Sequence, residues 1–161
     1  MSEQLSAGEP GTDQARTGPN PPSLLVRPES VGAFSRGSGI ETLPYLGRWN
    51  SDRPSVTTGM TLLPPGTAIP LHSHNVEECV LVLDGHGTAV VDGAEFSVSA
   101  GCSTWVPAGL PHRFASAPDV PLRIYWVYSG RYVTRTICAT GVTVEHLSES
   151  DRGGETLPRG A

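Results

Sequence analysis

The chain predicts an all-β fold, a sandwich or barrel of short strands. Three observations carry that prediction. Apolar residues recur at period two or in short runs, never with the 3.6-residue period of an amphipathic helix. Gly, Pro and Asp-Gly interrupt those runs every eight to twelve residues, which is the rhythm of strands joined by turns. The central stretch of roughly 110 residues holds no internal repeat or low-complexity tract.

The elements follow in order. "SVTTGMTLLP" alternates Val56, Met60 and Leu62 on one face, which the period-two rule assigns to the interior. "ECVLVLDG" is a short apolar run closed by a turn. "GTAVVDGAEFSV" is two strands joined at Asp92-Gly93, a dipeptide suited to the positive φ angles of a two-residue hairpin. "STWVP" is a strand stopped by Pro107, since proline cannot donate to a ladder. In "PLRIYWVYSG", Arg123 seeks water and takes Tyr125 and Val127 outward with it. Leu122, Ile124, Trp126 and Tyr128 then face inward. "YVTRTICAT" completes the set.

Residues 1–35 are dominated by Gly, Pro, Ser and charge, with "LLV" at 24–26 as the one apolar patch. Such a segment buries too little surface to offset its ordering entropy and is expected to be a disordered N-terminal tail. Residues 36–147 are expected to form a single domain, and 148–161 a flexible C-terminal tail. The net charge of −5 and pI near 5.4 argue against nucleic acid and anionic membrane as partners. The N-terminus has no apolar signal-peptide region and no stretch is long enough to span a bilayer, so the expected location is cytoplasmic. Cys79, Cys102 and Cys138 are odd in number and widely spaced, which reads as reduced thiols. All eleven basic residues are arginine, so chemistry that needs a lysine Schiff base is excluded.

The candidate site lies in "PLHSHNVEECVLVLDG", residues 70–85. On a strand, His72 and His74 share a face and Ser73 points away, whereas a helix would separate them by about 200°. Parity selects Glu78 over Glu77 for the same face, with Val80 and Val82. Downstream, Pro107, Gly109 and Pro111 force an irregular turn, and His112 follows at once. His86 sits between Gly85 and Gly87 in a turn and is expected at the surface; His146, near the C-terminal end, is expected to have no chemical role.

These residues resemble the cupin superfamily. The spacing Gly66-x5-His72-x-His74-x3-Glu78-x6-Gly85 is similar to the first cupin motif, and Gly101-x5-Pro107-x-Gly109-x2-His112 to the second. The sequence departs from that pattern at Cys102, where Asp is usual, and at Ser116, where Asn is usual. The resemblance implies a small single-domain double-stranded β-helix, the cupin jelly-roll barrel, often dimeric and with one metal inside. It carries His72, His74, Glu78 and His112 over as metal ligands. Three imidazoles and a carboxylate suit a divalent transition metal, Fe(II) favoured, with Zn, Mn, Ni or Cu as alternatives.

Two functional classes follow. The first is a mononuclear metal-dependent enzyme acting on a small polar molecule: an Fe(II) dioxygenase (an oxidoreductase), or a Lewis-acid isomerase or cyclase, with a bacterial natural-product pathway as its setting. The second is a non-catalytic module or accessory subunit that binds a metal or small ligand. Met60, Leu62, Phe114, Trp126 and Tyr128 are the expected substrate-pocket residues, and Tyr128 is the one inward candidate for a catalytic side chain beyond the ligands. A homodimer is expected, because Ile40, Leu43, Tyr45, Leu46 and Trp49 read as a strand with no place in the barrel, whose open edge a second subunit would pair.

Overall fold

The computed structural model describes residues 23–152. Twelve strands form two six-stranded antiparallel sheets. In chain order they are β1 (Phe34–Ser35), β2 (Glu41–Leu46), β3 (Thr57–Leu63), β4 (His72–His74), β5 (Glu78–Asp84), β6 (His86–Val91), β7 (Ala94–Ser99), β8 (Ser103–Val106), β9 (His112–Ser116), β10 (Leu122–Tyr128), β11 (Thr134–Ile137) and β12 (Thr143–Glu145). One sheet has the order β1-β2-β3-β10-β5-β8, the other β12-β11-β4-β9-β6-β7. The helical segments among the described residues are two single 3-10 turns, Pro28–Ser30 and Glu149–Asp151. The all-β expectation holds, and none of these helices is long and apolar enough to cross a membrane.

The sheets face each other across a core that includes Leu63, Val80, Val82, Phe114, Leu122, Ile124 and Trp126. Alternation drives this: β5 buries Glu78, Val80 and Val82, and β10 buries Leu122, Ile124, Trp126 and Tyr128, as parity requires. The chain passes from one sheet to the other at Gly85, between β5 and β6. Its φ of 82° and its approach to the Pro121 carbonyl leave no room for a Cβ. The Asp92-Gly93 hairpin forms as expected, with positive φ at both residues and Val91 opposite Ala94.

The structure corrects three expectations. On β3 the inward residues are Thr57, Gly59, Thr61 and Leu63, while Met60 and Leu62 lie on the outer face. Apolar character misled here because the interior at this point is a polar cavity beside a large ring. A Cβ at Gly59 would run into Trp126, so the inner face needs small residues. The segment 38–50 is not an unpaired strand: Ile40 is buried in the core, and β2 pairs with β3 of its own sheet on one side and β1 on the other. The open edge that argued for a partner subunit is thus filled by the chain itself. Finally, the ordered fold overruns both expected domain boundaries. Phe34 of β1 is buried, and so is Asp151 in the stretch assigned to a flexible tail. The remainder of the expected tails, 1–22 and 153–161, lies outside the described residues.

Candidate metal centre

Neighbouring strands deliver the four expected ligands to one point. β4 places His72 and His74 inward around Ser73, and its ladder with β9 sets His72 opposite His112. β5 and β10 set Glu78 opposite Tyr128. The ligand atoms of His72, His74 and His112 lie within 4.8 Å of one another, and His112 Nε2 is 2.7 Å from Glu78 Oε2. All four residues are buried, whereas Glu77 is exposed.

The hydrogen bonds fix what these rings can bind. His72 Nδ1 lies 2.7 Å from the Pro70 carbonyl, His74 Nδ1 2.8 Å from that of Thr134, and His112 Nδ1 2.9 Å from that of Leu110. A carbonyl only accepts, so each Nδ1 carries the proton, and each neutral ring turns an Nε2 lone pair to the centre. Backbone carbonyls orienting imidazoles in this way are the usual outer support of a metal site. His112 Nε2 and Glu78 Oε2, despite their closeness, have no hydrogen-bond partner of good geometry. Lone pairs that converge in a buried space call for a cation. The residues present therefore fit a divalent metal ion held by His72, His74, His112 and Glu78.

The protonation tendencies agree. Burial above all, with neighbouring positive charge, pushes His72 well below the usual histidine range. Burial likewise lowers His74 to about 4, against the pull of Glu78. Burial opposes charge on His112 too, but the close approach and negative charge of the Glu78 carboxylate outweigh it and raise the pKa. Burial works to raise Glu78, yet His112 and His74 together bring it below the normal carboxylate value. These trends favour neutral His72 and His74 and an ionised Glu78, the forms that ligate, while Glu78 draws His112 toward its protonated form.

Around this centre, Ile69, Phe114, Ile124 and Trp126 form an apolar wall, and Trp126 Nε1 donates to Thr61 Oγ1 at 3.0 Å. Of the expected pocket residues, Phe114, Trp126 and Tyr128 line the cavity; Met60 and Leu62 do not. The Tyr128 hydroxyl is 3.1 Å from His74 Nε2, which has only a lone pair to offer, so the hydroxyl donates. Burial, then the charge of Glu78, raises Tyr128 well above the usual phenol value, which makes it a donor and not a base.

Three ionisable cavity residues escaped sequence reasoning: Arg36, Arg135 and His146. His146 was expected to be inert, but its ring packs against His74, Trp126 and Tyr128 at centroid distances of 5.6, 5.4 and 5.0 Å. Its Nε2 is 3.0 Å from Arg36 Nη2. Asp151 joins Arg36 and Arg135 through contacts of 3.0 and 3.1 Å and accepts the Leu147 N–H at 2.8 Å. A parity signal existed for Arg135, which pairs with His74 across β4 and β11. None existed for Arg36 with His146, which are 110 residues apart in sequence. His86 is exposed, as expected. Of the motif departures, Ser116 Oγ accepts from Thr67 N–H and donates to the Pro64 carbonyl, tying β9 to the loop between β3 and β4, and Cys102 packs partly buried against the core.

A jelly-roll of two antiparallel sheets around three convergent histidines and a glutamate defines a class of small β-barrel proteins with an interior metal-type donor set. In comparison with known sequences, residues 59–128 match the family described as Cupin domain, so this central part of the barrel is similar to cupin domains. An uncharacterized protein of Methanocaldococcus jannaschii, MJ1618, is 33% identical over 64 residues, covering 39% of this chain and 51% of that protein. The mannose-1-phosphate guanylyltransferase of Escherichia coli is 32% identical over 75 residues, covering 46% of this chain and 16% of the enzyme. The matched segments therefore span only about half or less of these relatives. Among solved structures, an RmlC-like cupin from Shewanella frigidimarina superposes with a TM-score of 0.54 at 18% identity, covering 62% of this chain and 84% of that one. A salicylate 1,2-dioxygenase variant from Pseudoaminobacter salicylatoxidans in complex with gentisate gives 0.54 at 16% identity, covering 59% of this chain and 26% of that one. At these identities the likeness is one of fold.

Proposed function

We propose that the protein is a mononuclear metal-dependent enzyme acting on a small polar molecule, with Fe(II) as the favoured ion and dioxygenation the favoured reaction; a Lewis-acid isomerisation or cyclisation is the alternative chemistry. The observation that carries this reading is the three Nε2 lone pairs aimed with Glu78 into a buried cavity beside a tyrosine hydroxyl. His72, His74, His112 and Glu78 would hold the ion, leaving about two positions open on an octahedral metal. The bound ion would supply a Lewis-acid or redox centre to which substrate oxygens can be drawn. The chain's own residues do the rest. The apolar wall excludes bulk water, which strengthens every electrostatic contact inside. Tyr128 holds a proton at its hydroxyl, ready to donate to an oxygen that gains charge.

A purely binding role for the same site is the second reading, favoured by the tightness of a cavity of about 30 Å³. Elemental analysis of protein purified without a chelating column, followed by oxygen uptake of the iron-loaded protein with small diols, thiols and keto acids, separates the two. Loaded metal with substrate-dependent uptake supports the dioxygenase; loaded metal with no turnover of any kind supports the binder; no metal affinity defeats both. A cytoplasmic setting is supported by three free cysteines. A homodimer now finds its support in the exposed outer-face residues Leu62, Leu81, Leu83 and Trp105, and light scattering at micromolar concentration tests it.

A further inference from the structure

The cavity has a cationic corner that the ligand set does not use. Arg36 lies just after β1, and its side chain is only 8% exposed although it carries a permanent charge. Its guanidinium has five N–H groups. Nε donates to Thr42 Oγ1 at 3.1 Å, Nη1 to Asp151 at 3.0 Å, and Nη2 to His146 Nε2 at 3.0 Å. Among the described residues, one N–H on each Nη is thus left without a protein acceptor, on a residue that lines the same cavity as the three histidines. The charges matter as much as the donors. Asp151 is the carboxylate that Arg36 and Arg135 share. A divalent ion with one carboxylate ligand would bring net positive charge to the same cavity. Buried charge of that kind is favourably completed by an anion.

We propose that Arg36 is a substrate-recognition residue, and that the ligand of this cavity is a small carboxylate whose charged end meets the free Nη N–H groups while an oxygen at its other end faces the histidine cluster. This rests on the metal-site reading above. The planar fork of the guanidinium suits a carboxylate's two oxygens, and a charge-assisted pair in a dry site is far stronger than one at the surface. His146 has a defined part in it. Arginine cannot accept, so His146 Nε2 must, and the ring stays in one tautomer that holds Arg36 Nη2 in place. The cavity of about 30 Å³ admits ligands of only a few heavy atoms.

The test uses the zinc-loaded full chain, with glycolate as the probe and glycolamide as its neutral counterpart. Elemental analysis comes first and reads the metal site alone. Calorimetry should then show glycolate binding at least tenfold tighter than glycolamide. Arg36→Lys should weaken glycolate at least tenfold while metal content and glycolamide affinity stay unchanged. Equal affinities in the wild type, no binding of either molecule, or an Arg36→Lys variant with unaltered glycolate affinity overturns the proposal. If Arg36→Lys loses its fold by circular dichroism, the wild-type Arg36 Nε–H resonance decides. A shift with glycolate and none with glycolamide supports the site, and no shift with either rejects it. A protein that takes up no zinc but still selects glycolate through Arg36 would defeat the metal reading and leave the carboxylate site standing.

Discussion

The cavity has two walls built on different principles. On one, β4, β5 and β9 place His72, His74, Glu78 and His112 by strand alternation, and backbone carbonyls lock each ring. On the other, Arg36, Arg135 and His146 come from three separate parts of the chain and are held by Asp151, a residue in a 3-10 turn after the last strand. The first wall is rigid because its donors are part of the ladder. The second is held largely by charge-assisted contacts that meet at one carboxylate, Asp151. The first wall is thus set by local strand register, the second by charge pairing across distant parts of the chain.

Breaking the ladder wall should have the largest effect. His74→Ala or His112→Ala removes one bond and the geometry of the rest, so metal affinity should fall at least 100-fold, read by elemental analysis and metal titration. Retention of full affinity by either variant would remove these residues from the ligand set.

The charge-held wall predicts a loss of stability. Asp151→Asn leaves two buried guanidiniums without their shared carboxylate, which should cost about 3–5 kcal/mol in urea unfolding. A cost near zero would mean that the wall is not held by Asp151.

Acid should weaken the metal-free protein through the ladder wall. His74 binds a proton near 6.5 when unfolded but only near 4 when folded, so the unfolded state holds more protons between those values. Stability is therefore lost as pH falls through that window, by about 3 kcal/mol from this residue alone. His72 and His146, also lowered, act in the same direction. His112, raised, acts oppositely: its contribution is present at low pH and lost as pH rises through its folded pKa, and it offsets part of the loss. Thermal melts of chelator-treated protein from pH 7 to pH 4 check the sign.

Two smaller effects sharpen the contrast. Tyr128→Phe removes the donor to His74 without a change of shape. It should cost about 1 kcal/mol and leave metal content intact while any turnover drops. Glu145→Gln breaks an ion pair with Arg48 in which both side chains are over 40% exposed, and should shift stability by no more than about 1 kcal/mol. If it matched Asp151→Asn, burial would not be what makes the Asp151 contacts strong.

The sequence by itself determined the all-β class, the Asp92-Gly93 hairpin and the inward side of β5 and β10. It also picked out His72, His74, Glu78 and His112, which the strands bring together. Those features depend on local rules: a period of two, the φ demands of a turn, and ligands carried close together on strands. It misplaced Met60 and Leu62, because on β3 the apolar residues face outward and the small and polar ones face a cavity. It also left the 38–50 segment unpaired and cut the fold short of Asp151. Only the tertiary structure could bring Arg36 within reach of His146 and Asp151, across 110 and 115 residues. Long-range ion pairs have no period and no spacing. They exist because closing the barrel leaves charges that must find one another away from water.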